Sequence, residues 1–164
     1  MPPKKQISME EIIDKAFKIV KENGCECLTA RRLAKELNCS TQPIYQAFSD
    51  MNDLKSVLVK RAGERMMQYV ANNSDTTQSP MLSKILGYVQ FASEEKHLFQ
   101  LMFMPGILQQ EDIQMLIPLN NELELNMLIY AHGLVMMKAY GALLLPWEQV
   151  KKMILNAYQC FERN

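Results

Sequence analysis

The chain has 164 residues, 18 Lys/Arg balanced by 18 Asp/Glu, and 48% hydrophobic residues. That apolar fraction excludes an intrinsically disordered chain, and the length suffices for a buried core, in one domain or in two small ones sharing a long helix. The longest apolar runs are too short and too interrupted to span a membrane. The neutral total hides an asymmetry. Residues 1–70 carry 12 Lys/Arg against 9 Asp/Glu, a balance of +3, and residues 71–164 carry 6 against 9, a balance of −3. A basic head that reads nucleic acid, on an acidic body, fits that split.

The start, Met1-Pro2-Pro3-Lys4-Lys5, is basic with no apolar run behind it, so it does not read as a signal peptide and a cytosolic placement is expected. Residues 1–7 read as a loose arm whose Lys4 and Lys5 have DNA phosphates within their chemistry. Ser8 and Glu11 stand at capping-box spacing, and Ile13, Ala16, Phe17 and Val20 repeat at helical spacing until Gly24. Cys25-x-Cys27 follows. Without a second cysteine pair nearby, and with His97 and His132 far off in sequence, small residues in an interhelical turn are the favoured reading over a metal or redox site. Disulfides are not expected in a reducing cytosol.

Residues 28–48, LTARRLAKELNCSTQPIYQAF, hold the centre of the chain. Thr29 is a helix N-cap, and Leu28, Leu33, Ala34 and Leu37 give the following helix an apolar inner face. Asn38, Cys39 and Ser40 break the pattern. Asn tolerates left-handed backbone, and Ser40 is a good cap for a second helix, which turns Ile44, Ala47 and Phe48 inward. Thr41, Gln42, Tyr45 and Gln46 then point outward. Two short helices and a tight turn make a helix-turn-helix, and its outward residues are hydrogen-bonding types suited to base edges and phosphates. Gln42 suits adenine and Tyr45 a phosphate. Pro43, in the first turn where its missing N–H costs little, suits a thymine methyl. Arg32 and Lys35 read as phosphate neighbours or surface charge.

Asp50 or Ser49 caps a long helix over about 51–72, interrupted by Gly63, for which close packing or a flex point are the two explanations. The polar stretch 72–79 and Pro80 read as a linker. Tyr88, Phe91, Leu98, Phe99, Met102 and Phe103 lie on helical segments broken by Pro105-Gly106 and Pro118. The last two helices run over about 121–144 and 147–162. The first is apolar nearly all round, so it needs cover on all sides, which a second copy of the chain supplies. Leu134, Met136, Tyr140, Val150, Ile154, Tyr158 and Phe161 are the expected dimer contacts. Gly133 and Gly141 allow close helix approach, and His132 reads first as a hydrogen-bonded core histidine.

Thr29, Leu33-Ala34, Ser40-Thr41-Gln42-Pro43-Ile44-Tyr45, Phe48 and Leu54 together resemble the DNA-binding domain of the TetR family of bacterial regulators, over about residues 8–70. Ala131-His132-Gly133-Leu134 is similar, more weakly, to a helix in one group of TetR-type C-terminal domains. The resemblance implies an all-α fold: a three-helix head (residues 1–50) joined by a long helix to a helical regulatory and dimerisation body (51–164). It implies DNA contacts from Thr29, Arg31, Ser40, Thr41, Gln42, Pro43, Tyr45 and Gln46. Thr29 would set its helix start against a phosphate, and Arg31 would reach a guanine, a solvated Arg31 being the alternative. The family places a lysine where this chain has Met51, which leaves Lys55, one turn later, as the substitute. A body pocket for a small apolar molecule is implied, with Tyr88, Phe91, Phe99, Met102, Phe103, Met127, Tyr130 and Met137 as its candidate lining.

The expected function is a homodimeric repressor released from a near-palindromic double-stranded operator by a small, mostly apolar effector. The alternative is a DNA-binding regulator without such an effector, controlled by a protein partner or constitutive. Two distant histidines and no convergent polar cluster leave nothing for acid–base or metal chemistry, so neither an enzyme nor a cofactor is expected.

Overall fold

The structure, a computed structural model, describes residues 7–73, 77–104 and 121–163. Among them every regular element is helical: α1 (Met9–Asn23), a 3-10 turn (Cys25–Cys27), α2 (Ala30–Glu36), α3 (Gln42–Ala47), α4 (Met51–Asn72), α5 (Pro80–Glu94), α6 (Lys96–Met102), α7 (Glu122–Ala139) and α8 (Trp147–Phe161). The all-α expectation therefore holds. The readings placed on Lys4, Lys5, Pro105-Gly106 and Pro118 lie outside the described residues, as does the middle of the 72–79 linker. None of these described helices is long and apolar enough to cross a membrane.

Local chemistry sets most helix ends. At α1 the Ser8 hydroxyl accepts from Glu11 N at 3.1 Å while Glu11 Oε2 accepts from Ser8 N at 2.8 Å, the reciprocal capping box. The helix stops at Gly24, whose φ of 89° is open to glycine and strained for other residues. Thr29 Oγ1 accepts from Arg32 N at 3.2 Å and starts α2. Asp50, and not Ser49, caps α4: its Oδ1 accepts from Asn52 N at 2.7 Å and Asp53 N at 2.9 Å. Asp53 Oδ2 in turn accepts from Ser49 N at 3.0 Å.

The chain forms two compact units, which divide between Ala62 and Gly63, inside α4. In the first unit α1 packs on the 3-10 turn, α2 and α3. Ile12, Ala16, Val20, Leu28, Leu33, Ile44, Phe48, Leu54 and Leu58 are buried there. Residues 97–104 return to this unit. His97 Nδ1 donates to the Lys21 carbonyl at 3.1 Å, and Cys25 Sγ lies 3.9 Å from Met104 Sδ. Arg61 pairs with Asp14 at 2.6 Å and Glu10 at 3.5 Å, and covers the Phe17 ring at 5.2 Å from its centroid.

In the second unit α5, α7 and α8 pack on one another. The C-terminal half of α4 joins them through Arg65, whose Nε donates to Glu95 Oε1 at 3.1 Å, and Tyr69, whose hydroxyl donates to Glu94 Oε2 at 2.6 Å. Gly87 lets α5 come close to α4, since a Cβ there would stand 3.4 Å from Val70 Cα. Helix α7 is shorter than the expected 121–144. It ends at Ala139, with Tyr140 as its cap, because Gly141 takes φ 79° and Leu143 N turns back to the Met137 carbonyl at 3.0 Å. Gly141 thus ends a helix and does not sit inside one.

Asp50 satisfies two N–H groups at the start of the longest helix. Asp50→Ala is expected to cost about 1 kcal/mol, read as a lower urea midpoint with an unchanged m-value.

Candidate nucleic-acid interface

The turn between α2 and α3 closes with a Schellman pair. Cys39 N donates to the Ala34 carbonyl at 3.0 Å and Asn38 N to the Lys35 carbonyl at 3.1 Å, with Asn38 at φ 53°. The expectation that Asn38 takes the left-handed conformation is met. Ser40, however, does not cap α3. Thr41 is the residue before the helix, and no side chain makes a cap hydrogen bond there. Pro43 lies in the first turn.

Ile44 and Phe48 are buried at 1% and 2% exposure and pin α3 from within. Spacing then forces Gln42, Tyr45 and Gln46 onto the opposite face, and all three are exposed, Tyr45 at 53%. Thr29, Arg31 and Ser40 are also exposed, while Thr41 and Pro43 are half-buried. All of these residues belong to the first unit. Lys55 is half-buried too. It faces the 3-10 turn closely enough that its charge acts on Cys25, favouring the thiolate, although burial outweighs it and pushes the Cys25 thiol up. Cys25, Cys27, Cys39 and Cys160 are not joined in disulfides, and no group of three or more His, Cys, Asp or Glu among the described residues is arranged to hold a metal ion.

The candidate effector lining is divided between the two units. Phe99, Met102 and Phe103 belong to the first unit; Tyr88, Phe91, Met127, Tyr130 and Met137 belong to the second. Phe91, Met127, Phe99 and Met102 are fully enclosed in core packing, and Met137 is exposed. Tyr130 meets Phe161 edge-on at 6.2 Å. Residue spacing missed this because it does not reveal that α6 returns to the first unit.

Among the expected dimer contacts, Val150 and Ile154 are corrected. Both are fully buried within their own chain and have no surface to offer a partner. Leu134, Met136, Tyr158 and Phe161 are half-buried and Tyr140 is exposed. The apolar surface lies instead on Leu125, Ile129, Met137 and Tyr140 of α7 and its cap, with Ile129 exposed at 62%, and on Leu155 of α8. Met127, Ala131, Val135 and Ala139, every fourth residue, face the chain's own core. The four-residue spacing of Leu125, Ile129 and Gly133 was the available signal for an outer face. A Cβ on Gly133 would meet nothing within 4 Å.

Inside the second unit the Tyr88 hydroxyl lies 2.7 Å from His132 Nδ1. Burial raises the Tyr88 pKa and lowers that of His132, so each is pushed toward its neutral form and the two share one hydrogen bond. His132 is thus a half-buried, hydrogen-bonded histidine.

No family model and no curated protein matches the sequence. Solved structures do match its fold. A protein of unknown function from Rhodococcus sp. RHA1 superimposes with a TM-score of 0.68 at 18% identity, over 99% of this chain and 98% of that one. The multidrug binding protein EbrR, complexed with imidazole, gives a TM-score of 0.64 at 16% identity over 94% of each chain. At these identities the likeness is one of fold, and it runs nearly end to end. The protein shares the all-helical architecture of these chains.

Two predictions follow from this packing. Ile44→Ala is expected to cost about 2–5 kcal/mol of stability, whereas Tyr45→Ala, at an exposed site, stays within about 0.5 kcal/mol; chemical denaturation separates them. The unfolded chain protonates His132 at the ordinary imidazole value, while burial keeps it neutral in the fold. Its contribution is therefore complete above that value and is lost as pH falls through the window below it. Stability measured at about pH 8 and about pH 5.5 should differ less in His132→Gln than in the native chain.

Proposed function

We propose that the protein is a cytoplasmic TetR-type transcriptional regulator, a homodimeric repressor that leaves a near-palindromic operator when a small, mostly apolar effector binds. The observation that carries the reading is α3, held by Ile44 and Phe48 so that Gln42, Tyr45 and Gln46 stand free on a helix-turn-helix. In such motifs the second helix enters the major groove and the first crosses the backbone. Thr29 and Arg31 at the start of α2, Ser40, Thr41 and Pro43 around the turn, and Lys55 on α4 are the further contacts we assign to DNA.

A dimer supplies the second reading head. The strip formed by Leu125, Ile129, Met137 and Tyr140 is an apolar face that water covers in the single chain, and a two-fold partner would cover it with its own copy. Two heads related by that axis demand a near-palindrome with half-sites about 34–36 Å apart or a multiple of that spacing. Fold likeness to a protein named as multidrug binding supports the effector. An effector acts only by binding the DNA-incompetent state more tightly than the competent one. The filled interior of the second unit, with Phe91, Met127, Val135, Val150 and Ile154 fully enclosed, favours the second reading, a regulator without a small-molecule site.

Gel shifts with randomised duplexes test the DNA reading: selection of a palindrome, with affinity falling steeply as salt rises, is expected, and binding without either overturns it. Ile129→Glu should turn the dimer into a monomer in sedimentation and weaken palindrome binding, while the melting of the head is unchanged. A native chain that sediments as a monomer at micromolar concentration removes the dimer. Thermal shift with apolar metabolites separates the effector reading from its alternative.

A further inference from the structure

Residues 37–49, from the end of α2 through α3 to the approach of α4, contain no Lys, Arg, Asp or Glu. The face that this segment presents is built from amides, hydroxyls and ring carbons alone: Gln42, Tyr45 and Gln46 exposed on α3, with Ser40 exposed and Thr41 and Pro43 half-buried beside them. We infer that this neutral face reads A·T pairs, so that the core of each operator half-site is A·T-rich. The inference rests on the DNA-binding reading and names the sequence class that its surface selects.

The argument is one of donor and acceptor matching. In the major groove adenine shows an acceptor, N7, beside a donor, the N6 amine; guanine shows two acceptors, N7 and O6; cytosine shows a donor; thymine shows an acceptor and a methyl group. A glutamine amide carries one oxygen and one NH2, which meets adenine at both points. Against guanine the same amide satisfies one acceptor and turns its own oxygen toward the other. Two acceptors side by side call for a guanidinium or ammonium, and residues 37–49 have neither. A cytosine donor is met most strongly by a carboxylate, and they have none of those either. The Pro43 ring and the Tyr45 ring are apolar surfaces of the kind that pack on a thymine methyl. Arg31 and Lys35 are the exposed cations just before this segment, both on α2. They are the side chains left for a guanine, so a G·C pair is assigned to the edge of the half-site and not to its core.

The test is selection of bound duplexes from a randomised pool by the full chain at one fixed salt concentration, followed by sequencing. The expected result is a half-site whose core is A·T, with G·C enriched at one edge. Replacing a core A·T by G·C should weaken binding about tenfold or more. In Gln42→Ala that ratio should fall toward one, and Gln42→Arg should select guanine at the position under residue 42. A thermal melt of each variant keeps a folding defect apart from a change in preference. A pool with a G·C-rich core, or one bound with no base preference, overturns the inference while leaving a DNA-binding protein. If no duplex is retained, the DNA-binding reading itself fails, and this inference with it.

Discussion

Helix α4 belongs to two cores at once, and the rest of the architecture depends on how it does so. Leu54, Leu58, Ala62 and Met66 are buried at four-residue intervals along it. An α-helix has 3.6 residues per turn, so each step of four carries the buried stripe round by roughly 40°. A stripe that winds in this way can be covered by different elements along its length. The first three residues serve the first unit and Met66 the second. Arg61 and Arg65, one turn apart, follow the same division. Arg61 takes Asp14 and Glu10 of α1, and Arg65 takes Glu95 at the end of α5. Gly63 stands between them and is buried. A glycine inside a helix costs about 1 kcal/mol relative to alanine, and the cores on either side offset it.

The head obeys a different constraint. Helices of seven and six residues, such as α2 and α3, do not persist alone, because helix nucleation is unfavourable and short segments cannot repay it. Burying a side chain the size of Leu33, Ile44 or Phe48 contributes roughly 1.5–3 kcal/mol, so these three contacts decide the matter. The outer face plays no part in that balance. Gln42, Tyr45 and Gln46 are placed by the inner face and are free to be chosen for what they touch outside. A surface so weakly coupled to stability can carry specificity at little cost to folding.

Features set within one turn of helix were legible in the sequence. The capping box at Ser8 and Glu11, the caps at Thr29 and Asp50, the stop at Gly24, the left-handed Asn38 and the span of α4 all rest on chemistry between residues three or four apart. Features set by distant contacts were not. Nothing in the spacing of Leu98, Phe99 and Met102 says that they belong to the same unit as α1. An almost wholly apolar α7 offers no polar face to reveal its orientation, so Val150 and Ile154 on the neighbouring helix were assigned to the wrong side. The end of α7 is an intermediate case. Gly141 is a familiar helix stop, but Leu143, Leu144 and Leu145 continue the apolar run past it and mask the signal.

Charge explains why α4 holds to α5 where it does. Glu94 and Glu95 lie at the C-terminal end of α5, where the helix already presents partial negative charge from its last carbonyls, so two carboxylates there are unfavourable unless answered. Arg65 answers one. Tyr69 and Gln90 answer the other, the Tyr69 hydroxyl at 2.6 Å and the Gln90 amide at 2.8 Å. The Tyr69 hydroxyl is pushed up to about 12, by burial first and by the Glu94 hydrogen bond second, while Glu94 is held below the ordinary carboxylate range chiefly by that same bond. The pair is therefore a neutral donor on an ionised acceptor across the physiological range, a charge-assisted bond that a pH change near neutrality does not break. Two such links, together with the close approach at Gly87, tie the C-terminal half of α4 to α5.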